Sequence, residues 1–261
     1  MWALFGRLGR TVLGTLERTG LGVVILLRAL SWLHWVPKRF RAILTQMYVT
    51  GVQSLAVTLL FSTVAGMIIS LQTGLELRRF GIEDRIGSIV ALSMLREMGP
   101  LMCAIILTGR VGSSMAAEIG TMNVSEEVSA LETLAIDPVR FLVMPRVVAM
   151  MLITPMLTVL ASLVGILGGA FVSWAQVGVE PASFLASAQR AIFFRDIYWG
   201  IGKAVLFGLS ISTIACAAGL TARDGAIGVG RASRDAVVTA LILVIVTNYI
   251  VSSFFLALSP V

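Results

Sequence analysis

The chain has 261 residues, of which 57% are hydrophobic and only 13% are charged. Its mean hydropathy of +0.95 is typical of polytopic membrane proteins and excludes a large water-soluble domain. The net charge of +6 does not indicate a nucleic-acid partner, because the basic residues lie at the ends of apolar runs, where they suit anionic lipid headgroups. We therefore expect an all-α polytopic membrane protein.

The first segment, residues 1–41, predicts an amphipathic helix that lies in the membrane interface. Its charged side chains cluster within about a third of a helical wheel, and apolar side chains fill the remainder. Trp32 and Trp35 suit the level of the lipid headgroups, and basic residues follow them. The alternative is a first transmembrane helix that carries a paired Arg28.

Five apolar stretches follow, and each exceeds the roughly 20 residues that a helix needs to cross a bilayer. Their predicted ranges are 42–75, 86–109, 147–179, 197–222 and 236–261. A modest polar connection is expected over residues 180–196. The second stretch contains Arg96 and Glu97 just before Gly99 and Pro100, so we expect a kink there.

The longest polar stretch, residues 107–146, separates two very apolar segments. In a helical conformation it has one narrow apolar face with acidic side chains opposite. The apolar face consists of Val124, Val128, Leu131 and Ala135. A residue before proline is disfavoured in the helical region, so the helix should end at Asp137. The pattern predicts a docking element over about residues 118–138; the alternative is an ordinary solvated loop.

The distribution of positive charge predicts the orientation. Thirteen of the 20 Lys and Arg residues fall on the side of the N-terminus when five spans are threaded through a membrane. By the positive-inside rule, the N-terminus and the docking element are expected in the cytoplasm and the C-terminus outside. We find no internal repeat, which argues against the inverted-repeat plan of secondary transporters.

The sequence contains no catalytic pattern. It lacks a G-x-x-x-x-G-K-[ST] phosphate loop, its one histidine lies in the interfacial helix and leaves no Ser-His-Asp triad, and no clustered carboxylates resemble a metal or glycosidase site. Cys103 and Cys216 lie within apolar segments and are expected to be packing residues. We therefore expect a chain that is not an enzyme and holds no cofactor, so that any work it performs is driven by a partner or a gradient.

The remaining polar constellation is Arg96, Glu97 and Lys203, near the outer ends of the second and fourth spans. A charge inside a bilayer costs about 2.5–3.5 kcal/mol on insertion scales, so these side chains should face protein, water or a polar ligand. Glu97 and Lys203 could simply neutralise each other. Alternatively, Arg96 and Lys203 bind an anionic headgroup, since both residue types recognise phosphate.

Three motifs resemble a known family. LSMLREMGP, GRVGSSMAAEIGTM and EEVSALETLAIDPVRFLVMPR closely resemble segments of the MlaE/YrbE permeases, the membrane subunits of ABC-type lipid transporters. The resemblance extends over nearly the whole chain and implies a single permease domain over residues 1–261. It also implies a homodimer in the bacterial inner membrane, a separate cytoplasmic ATPase that binds the ATP, a periplasmic ring of MCE-domain subunits and, as in Mla complexes, a small STAS-domain partner.

The same resemblance implies glycerophospholipid as the substrate, an outward-facing cavity at the dimer interface, and a role in outer-membrane lipid asymmetry. The residues that it assigns to the lipid cavity are Arg96, Glu97, Lys203, Leu77 and Phe80. Because Phe80 stands where other members can have tyrosine, a hydroxyl contact is not expected there. The residues that it assigns to the ATPase-contacting segment are Glu118, Glu126, Glu127, Val128, Leu131, Glu132, Leu134 and Asp137.

Two other classes of function stay open. An ion-coupled secondary carrier would use Glu97 and Lys203 as a titrating pair, and its transport rate would follow the proton gradient rather than ATP. A structural membrane scaffold for a periplasmic assembly would have partners but no bound lipid. For the permease, a charged residue in place of Leu131 is expected to uncouple transport without unfolding the spans.

Overall fold

The computed structural model describes residue 20 and residues 22–258, and every regular element in that part of the chain is a helix. Five helical stretches are long and apolar enough to cross a membrane. Their bounds are Gly22–Arg79, Glu83–Val124, Val139–Val177, Phe194–Leu220 and Gly225–Ala257. The predicted all-α, five-span plan is confirmed. Predictions for residues 1–19 of the amphipathic helix lie outside the described residues.

We number the helices of the described residues α1 to α8. Their bounds are α1 (22–31), α2 (Phe40–Met47, π turn Tyr48–Val52, Gln53–Arg79), α3 (Ile86–Ser93, π turn Met94–Met98, Gly99–Leu107, π turn Thr108–Gly112, Ser113–Val124), α4 (Glu127–Thr133), α5 (π turn Val139–Val143, Met144–Val172, π turn Ser173–Val177), α6 (Pro181–Ala191), α7 (Phe194–Leu220) and α8 (Gly225–Leu258). Short 3-10 segments, Trp32–Arg39 and Glu83–Arg85, precede α2 and α3.

The interfacial segment, α1 with the 3-10 segment behind it, packs on the ends of the long helices. Ile25 and Ala29 are buried in a cluster with side chains of α3, α5 and α7. Trp32 and Trp35 pack beside Ile43 and the start of α5. Arg28 is exposed and has no carboxylate partner among the described residues. This packing supports the interfacial helix over a span built around a paired arginine.

α2 packs along α5 through a stripe of small residues. Within Gln53–Arg79 of α2 the buried residues, one at every fourth position, are Ser54, Thr58, Ser62, Gly66, Ser70 and Gly74. A Cβ atom at Gly66 would overlap the backbone carbonyl of Gly165, and Ser70 donates a hydrogen bond to the carbonyl of Gly169 at 2.7 Å. Close backbone contact of this kind holds helices together in lipid, where apolar burial gives little driving force. Gly165, Gly168 and Gly169 form the matching close-packing face of α5.

α3 is longer than the predicted second span. Rather than ending at Gly109, the helix continues through a π turn to Val124, so the first part of the polar stretch belongs to a long helix. Small residues let this part pack closely: a Cβ at Gly120 would lie 3.2 Å from Ala222 and 3.4 Å from Val229. Its low hydropathy therefore reflects helix packing rather than a loop.

The predicted single docking helix is broken. Glu126 adopts the left-handed conformation (φ 62°) and separates α3 from α4, while Ala135 (φ 58°) lies beyond the end of α4. The Asn123 side chain donates to the carbonyl of Ala222 at 2.9 Å and fixes the end of α3 against the end of α7. Because the chain must turn at that anchor, the prediction of one continuous apolar face reaching Ala135 was wrong.

Two polar regions are more helical than the sequence indicated. The expected connection at residues 180–196 contains α6, which packs on the start of α3 so closely that a Cβ at Gly87 would overlap the carbonyl of Phe184. α8 begins at Gly225 rather than at Ala236, directly after Asp224, which has positive φ. A hydropathy profile underestimates the length of such helices, because the ends of a helix need not be apolar.

Candidate functional site

Arg96 and Glu97 lie in the π turn of α3 that immediately precedes Gly99 and Pro100. Proline has no N–H, so the carbonyl of Arg96, four residues earlier, lacks its usual helical donor. The ammonium of Lys203 on α7 takes that place and donates to this carbonyl at 3.0 Å. At the position where a kink was predicted, the structure has a π turn in the helix.

Lys203 also connects α3 to α8. Its Nζ lies 2.6 Å from Glu97 Oε1 and donates to Ser252 Oγ at 2.7 Å. Ser252 in turn donates to Glu97 Oε1 at 2.8 Å, and Asn248 Nδ2 donates to Glu97 Oε2 at 3.0 Å. The neutralising pair considered from the sequence is present. Lys203 is only 2% exposed, and all three donors of its ammonium have acceptors within the protein.

Arg96 has a different partner, Asp196 in the first turn of α7. The Nε and Nη2 atoms of Arg96 lie 2.9 Å and 2.8 Å from Asp196 Oδ1. Asp196 is fully buried, and its other oxygen accepts a hydrogen bond from the backbone N of Phe193 at 3.1 Å. The guanidinium also lies over the ring of Phe255, at 5.2 Å from its centroid. Its Nη1 has no acceptor among the described residues, and the side chain is 33% exposed.

We call these residues the charged cluster. Its members are Arg96, Glu97, Asp196, Lys203, Asn248 and Ser252. It joins α3, α7 and α8 and combines two buried groups with two partly exposed groups, the guanidinium of Arg96 and the carboxylate of Glu97. The cluster can therefore present one positive and one negative group to a polar ligand while its interior is neutralised.

Asp196, Asn248 and Ser252 escaped prediction, although each carries a signal in the sequence. An acidic residue in the first turn of a span suits the positive end of the helix dipole, which favours Asp196 as part of α7 rather than of a connection. Asn248 and Ser252 are four residues apart in an otherwise apolar span, so they share one helix face. Polar residues at that spacing are typical of contacts between membrane helices.

The other two residues predicted to contact lipid lie at the end of α2. Leu77 is half-buried and packs against a hydrophobic cluster that also includes Leu95 and Met98, the neighbours of the charged pair on α3. Phe80 is 74% exposed and makes no ring contact with a described residue. The structure thus brings Leu77 towards the charged cluster and leaves Phe80 open to the surroundings.

The residues predicted to meet an ATPase divide by exposure. The exposed ones are Glu126, Glu127, Glu132 and Leu134. Val128 is buried and Leu131 is half-buried, so both hold α4 against the protein. The large apolar side chain that α4 and its following turn offer to a partner is Leu134, which is 70% exposed.

The remaining two residues of this group are bound to other parts of the chain. Glu118 Oε2 pairs with Nη2 of the buried Arg146 on α5 at 3.1 Å. Asp137 accepts hydrogen bonds from Trp32 Nε1 at 3.1 Å and from the backbone N of Val139 at 2.9 Å. The coupling segment, residues 118–138, is thereby joined both to α5 and to the interfacial segment.

A family model described as Permease MlaE matches residues 43–254, which include the charged cluster and the coupling segment. The chain belongs to the MlaE permease family. The resemblance inferred from its motifs is confirmed. As an MlaE-family member, the protein is a multi-pass membrane permease of an ABC transporter, and the matched range begins beyond α1.

Named relatives cover most of the chain. A probable ABC transporter permease of Synechocystis is 39% identical over 212 residues, 81% of each chain. The intermembrane phospholipid transport system permease MlaE of Haemophilus influenzae is 35% identical over 247 residues, 94% of this chain and 95% of its own length. The chloroplastic protein trigalactosyldiacylglycerol 1 of Arabidopsis thaliana is 39% identical over 234 residues, 90% of this chain and 65% of its own.

Proposed function

We propose that this MlaE-family permease moves glycerophospholipids between the inner membrane and periplasmic carriers, and thereby maintains the lipid asymmetry of the outer membrane. The observation that carries the proposal is the charged cluster among the spans of a chain with a relative named as a phospholipid transport permease. Ionisable groups in a bilayer are costly and occur where they meet each other, water or a polar ligand. Here Arg96 and Glu97 stay accessible after the internal pairs are made.

Arg96 is the group best placed to contact a lipid phosphate. Its Nη1 has no acceptor in the part of the chain that the structure describes, and guanidinium groups recognise phosphate through charge-assisted hydrogen bonds. Lys203 has no donor left for a ligand, so it acts by positioning Glu97 and the π turn of α3. We therefore assign headgroup binding to Arg96, and Asp196 holds the guanidinium of Arg96 in place.

Apolar walls beside the cluster would receive the acyl chains. Leu77 and Phe80 supply apolar surface at the end of α2, and α8 exposes a further row of large side chains. These exposed residues of α8 are Val238, Ile242, Ile245, Tyr249, Ile250 and Phe254. The same proposal includes a second copy of the chain, with the lipid held in an outward-facing cavity between the two copies.

ATP hydrolysis is proposed to occur on a separate cytoplasmic subunit that docks on the coupling segment. The exposed carboxylates of Glu127 and Glu132 beside the apolar Leu134 suit a groove with basic edges. The bonds of Glu118 and Asp137 to α5 and the interfacial segment would carry movement of this docking site into the spans.

The proposed topology has the N-terminus in the cytoplasm and the C-terminus in the periplasm of a bacterial inner membrane. The bias of basic residues supports it. On the periplasmic side, the proposed partners are MCE-domain subunits, and a STAS-domain protein is proposed as an additional component.

Native mass spectrometry of the complex, extracted gently from its own membrane, tests this function. We expect two copies of the chain, two ATPase subunits and bound phospholipid. Arg96→Gln should lower the affinity for phospholipid at the charged cluster about tenfold, since a hydrogen bond to a charged group contributes about 1.5–3 kcal/mol. The matched control is Arg190→Gln, which removes an exposed arginine of α6 outside the charged cluster.

Two outcomes would contradict the proposal. A chain that carries no nucleotide-binding partner after mild extraction would remove the ATP-driven mechanism. Transport in proteoliposomes that follows a proton gradient and ignores ATP would select the ion-coupled carrier, with Glu97 and Lys203 as its titrating pair. Family membership favours ATP-driven transport over this second candidate.

A further inference from the structure

Basic residues collect at the point where the interfacial segment enters α2. Lys38, Arg39 and Arg41 lie within four consecutive positions, and they line an open groove of about 480 Å³. The other residues of its lining are Pro37, Phe40 and Ala42. The groove contacts Phe141 in the first turn of α5, which directly follows the coupling segment, and lies at the opposite end of α2 from Leu77 and Phe80.

The cations of this groove are held by aromatic rings. Lys38 Nζ lies 4.3 Å from the ring centroid of Trp35, and the guanidinium of Arg39 lies 4.2 Å from that of Phe141. Arg41 is exposed, and none of the three basic side chains has a carboxylate within 4 Å in the part of the chain that the structure describes. Cation–π contacts orient these groups without neutralising them, so their positive charge stays available.

A second cavity adjoins the groove. It has a volume of about 270 Å³ between α2 and the start of α5, and Ala42 lines both spaces. Thr45, Gln46 and Arg146 give this cavity polar walls. The Nε atom of Arg146 is buried and has no hydrogen-bond partner among the described residues. The space therefore suits a polar group that accepts hydrogen bonds, such as an ester or phosphate oxygen.

An apolar stripe leads from the groove along α2. Phe40, Leu44 and Tyr48 are all exposed and four residues apart, so they lie on one face of the helix. Val52, the last residue of the π turn, continues the row of exposed apolar side chains. A ligand with a charged head at the groove could lay its hydrocarbon part against this row.

We propose that the groove binds an anionic phospholipid of the membrane leaflet on the side of the coupling segment. Its phosphate meets Lys38, Arg39 and Arg41, its ester region meets the adjoining cavity, and its acyl chains follow the stripe from Phe40. Unneutralised basic residues near a membrane surface attract anionic lipids. The continuous apolar stripe argues for a lipid rather than a free phosphate ion. This site is separate from the charged cluster and does not depend on the transported substrate.

Lipid retention measures the site directly. The purified transporter complex is placed in nanodiscs of phosphatidylglycerol and phosphatidylcholine, and the lipid retained per chain is read by native mass spectrometry. The triple variant K38Q/R39Q/R41Q should retain about one phosphatidylglycerol per chain fewer than the unchanged protein, with no change in phosphatidylcholine, because any lipid at the charged cluster stays bound. The matched control R78Q/R79Q/R85Q, which removes three exposed charges at the other end of α2, should retain it normally. The variant R39K/R41K keeps the charges and should also retain it.

A second experiment tests where the lipid binds and whether the ligand is a lipid or a free phosphate ion. A phosphatidylglycerol with a photoreactive acyl chain should crosslink to residues 40–52 and lose that crosslink in the triple glutamine variant. Millimolar inorganic phosphate should leave the crosslink unchanged; competition by phosphate would mean a phosphate site and would overturn the proposal. Equal retention by the triple variant and the unchanged protein, or an equal loss in the control, would overturn it as well.

Discussion

Two helix interfaces within this bundle are built from opposite chemistry. Where α2 meets α5, small residues let the two backbones touch, as Gly66 does against Gly165. Where α3 meets α7 and α8, the charged cluster adds polar pairing to apolar contacts, and its central ion pair joins Glu97 to Lys203 at 2.6 Å. Lipid gives little hydrophobic drive for helix association, so close packing and polar pairing are the available alternatives.

The difference shows what each interface can do besides holding helices together. Ser54, Thr58 and Ser62 lie in the α2–α5 interface with buried hydroxyls that have no hydrogen-bond partner among the described residues. Their small size, rather than their polarity, therefore fits them to this position. In the charged cluster the hydroxyl of Ser252 and the Nδ2 of Asn248 are bonded, whereas Asn248 Oδ1 has no partner among the described residues, and Arg96 and Glu97 stay partly exposed. Close packing yields a rigid contact, whereas polar pairing yields a contact that can also meet a ligand.

The largest effect is expected from enlarging a residue of the α2–α5 interface. Gly66→Val should destabilise the protein by about 3 kcal/mol or more, because the new side chain would meet the backbone of α5, which cannot move like a flexible side chain. Thermal unfolding in detergent would show it as a lower midpoint and a smaller monodisperse fraction. The control Gly202→Ala, on α7 with no atom within 4 Å of the added Cβ, should leave the midpoint unchanged or raised. Equal midpoints for both variants would refute the close-packing account.

A smaller loss is expected from breaking the ion pair of the charged cluster. Lys203→Met leaves Glu97 without its cation and the carbonyl of Arg96 without its donor, and should cost about 2–3 kcal/mol, below the range for fully buried pairs because Glu97 is partly exposed. Adding Glu97→Gln removes the unpaired charge and should recover about half of that loss. If the double variant unfolds below the single one, the pair does not act as a unit.

The same serine-to-alanine substitution can be made in both helix interfaces, once in the charged cluster and once between α2 and α5. Ser252→Ala removes a bonded hydroxyl from the charged cluster and should destabilise by about 1 kcal/mol. Ser54→Ala removes an unpartnered buried hydroxyl from the α2–α5 interface and should be neutral or stabilise by up to about 1 kcal/mol. Differential scanning fluorimetry of the two variants shows whether each substitution lowers or raises the unfolding midpoint. The same sign for both would mean that the hydroxyl of Ser54 is bonded in the membrane.

The smallest effect on stability is expected outside both interfaces. Leu134→Glu alters a side chain that is 70% exposed and should shift the unfolding midpoint very little, while it weakens ATPase capture in a pull-down at least about tenfold. Val128→Glu, at the buried side of α4, is the contrasting variant and should lower stability as well. Normal capture by the Leu134 variant would move the docking site elsewhere.

The long spans and the small-residue face of α5 were predictable from the sequence because hydropathy and residue size act locally. The ends of the helices were not. The chain beyond Gly109 is polar, yet it stays helical because it packs on α7 and α8, a contact that no local pattern contains. Likewise, the break at Glu126 follows from the anchor between Asn123 and Ala222, which lie far apart in the sequence.

For the charged cluster, the sequence shows that Arg96, Glu97 and Lys203 take part, because charges are rare within apolar spans. It does not show which residues form ion pairs with each other. The sequence gives no distance between them, so the pairing of Arg96 with Asp196 rather than with Glu97 depended on the packing of α3 against α7. The proline at position 100 did carry a usable hint, since the carbonyl that it leaves free is the one that Lys203 meets.

The two π turns of α3, Met94–Met98 and Thr108–Gly112, have a consequence for insertions and deletions. Each π turn holds one residue more than the α-helical path, and a single residue corresponds to about 100° of rotation around the axis. Deleting one residue within Thr108–Gly112 would restore regular helix and leave both flanking segments facing their present neighbours. The same deletion within Gly99–Leu107 would rotate one half of α3 against the other, so single-residue deletions should be tolerated at Thr108–Gly112 and excluded between the π turns.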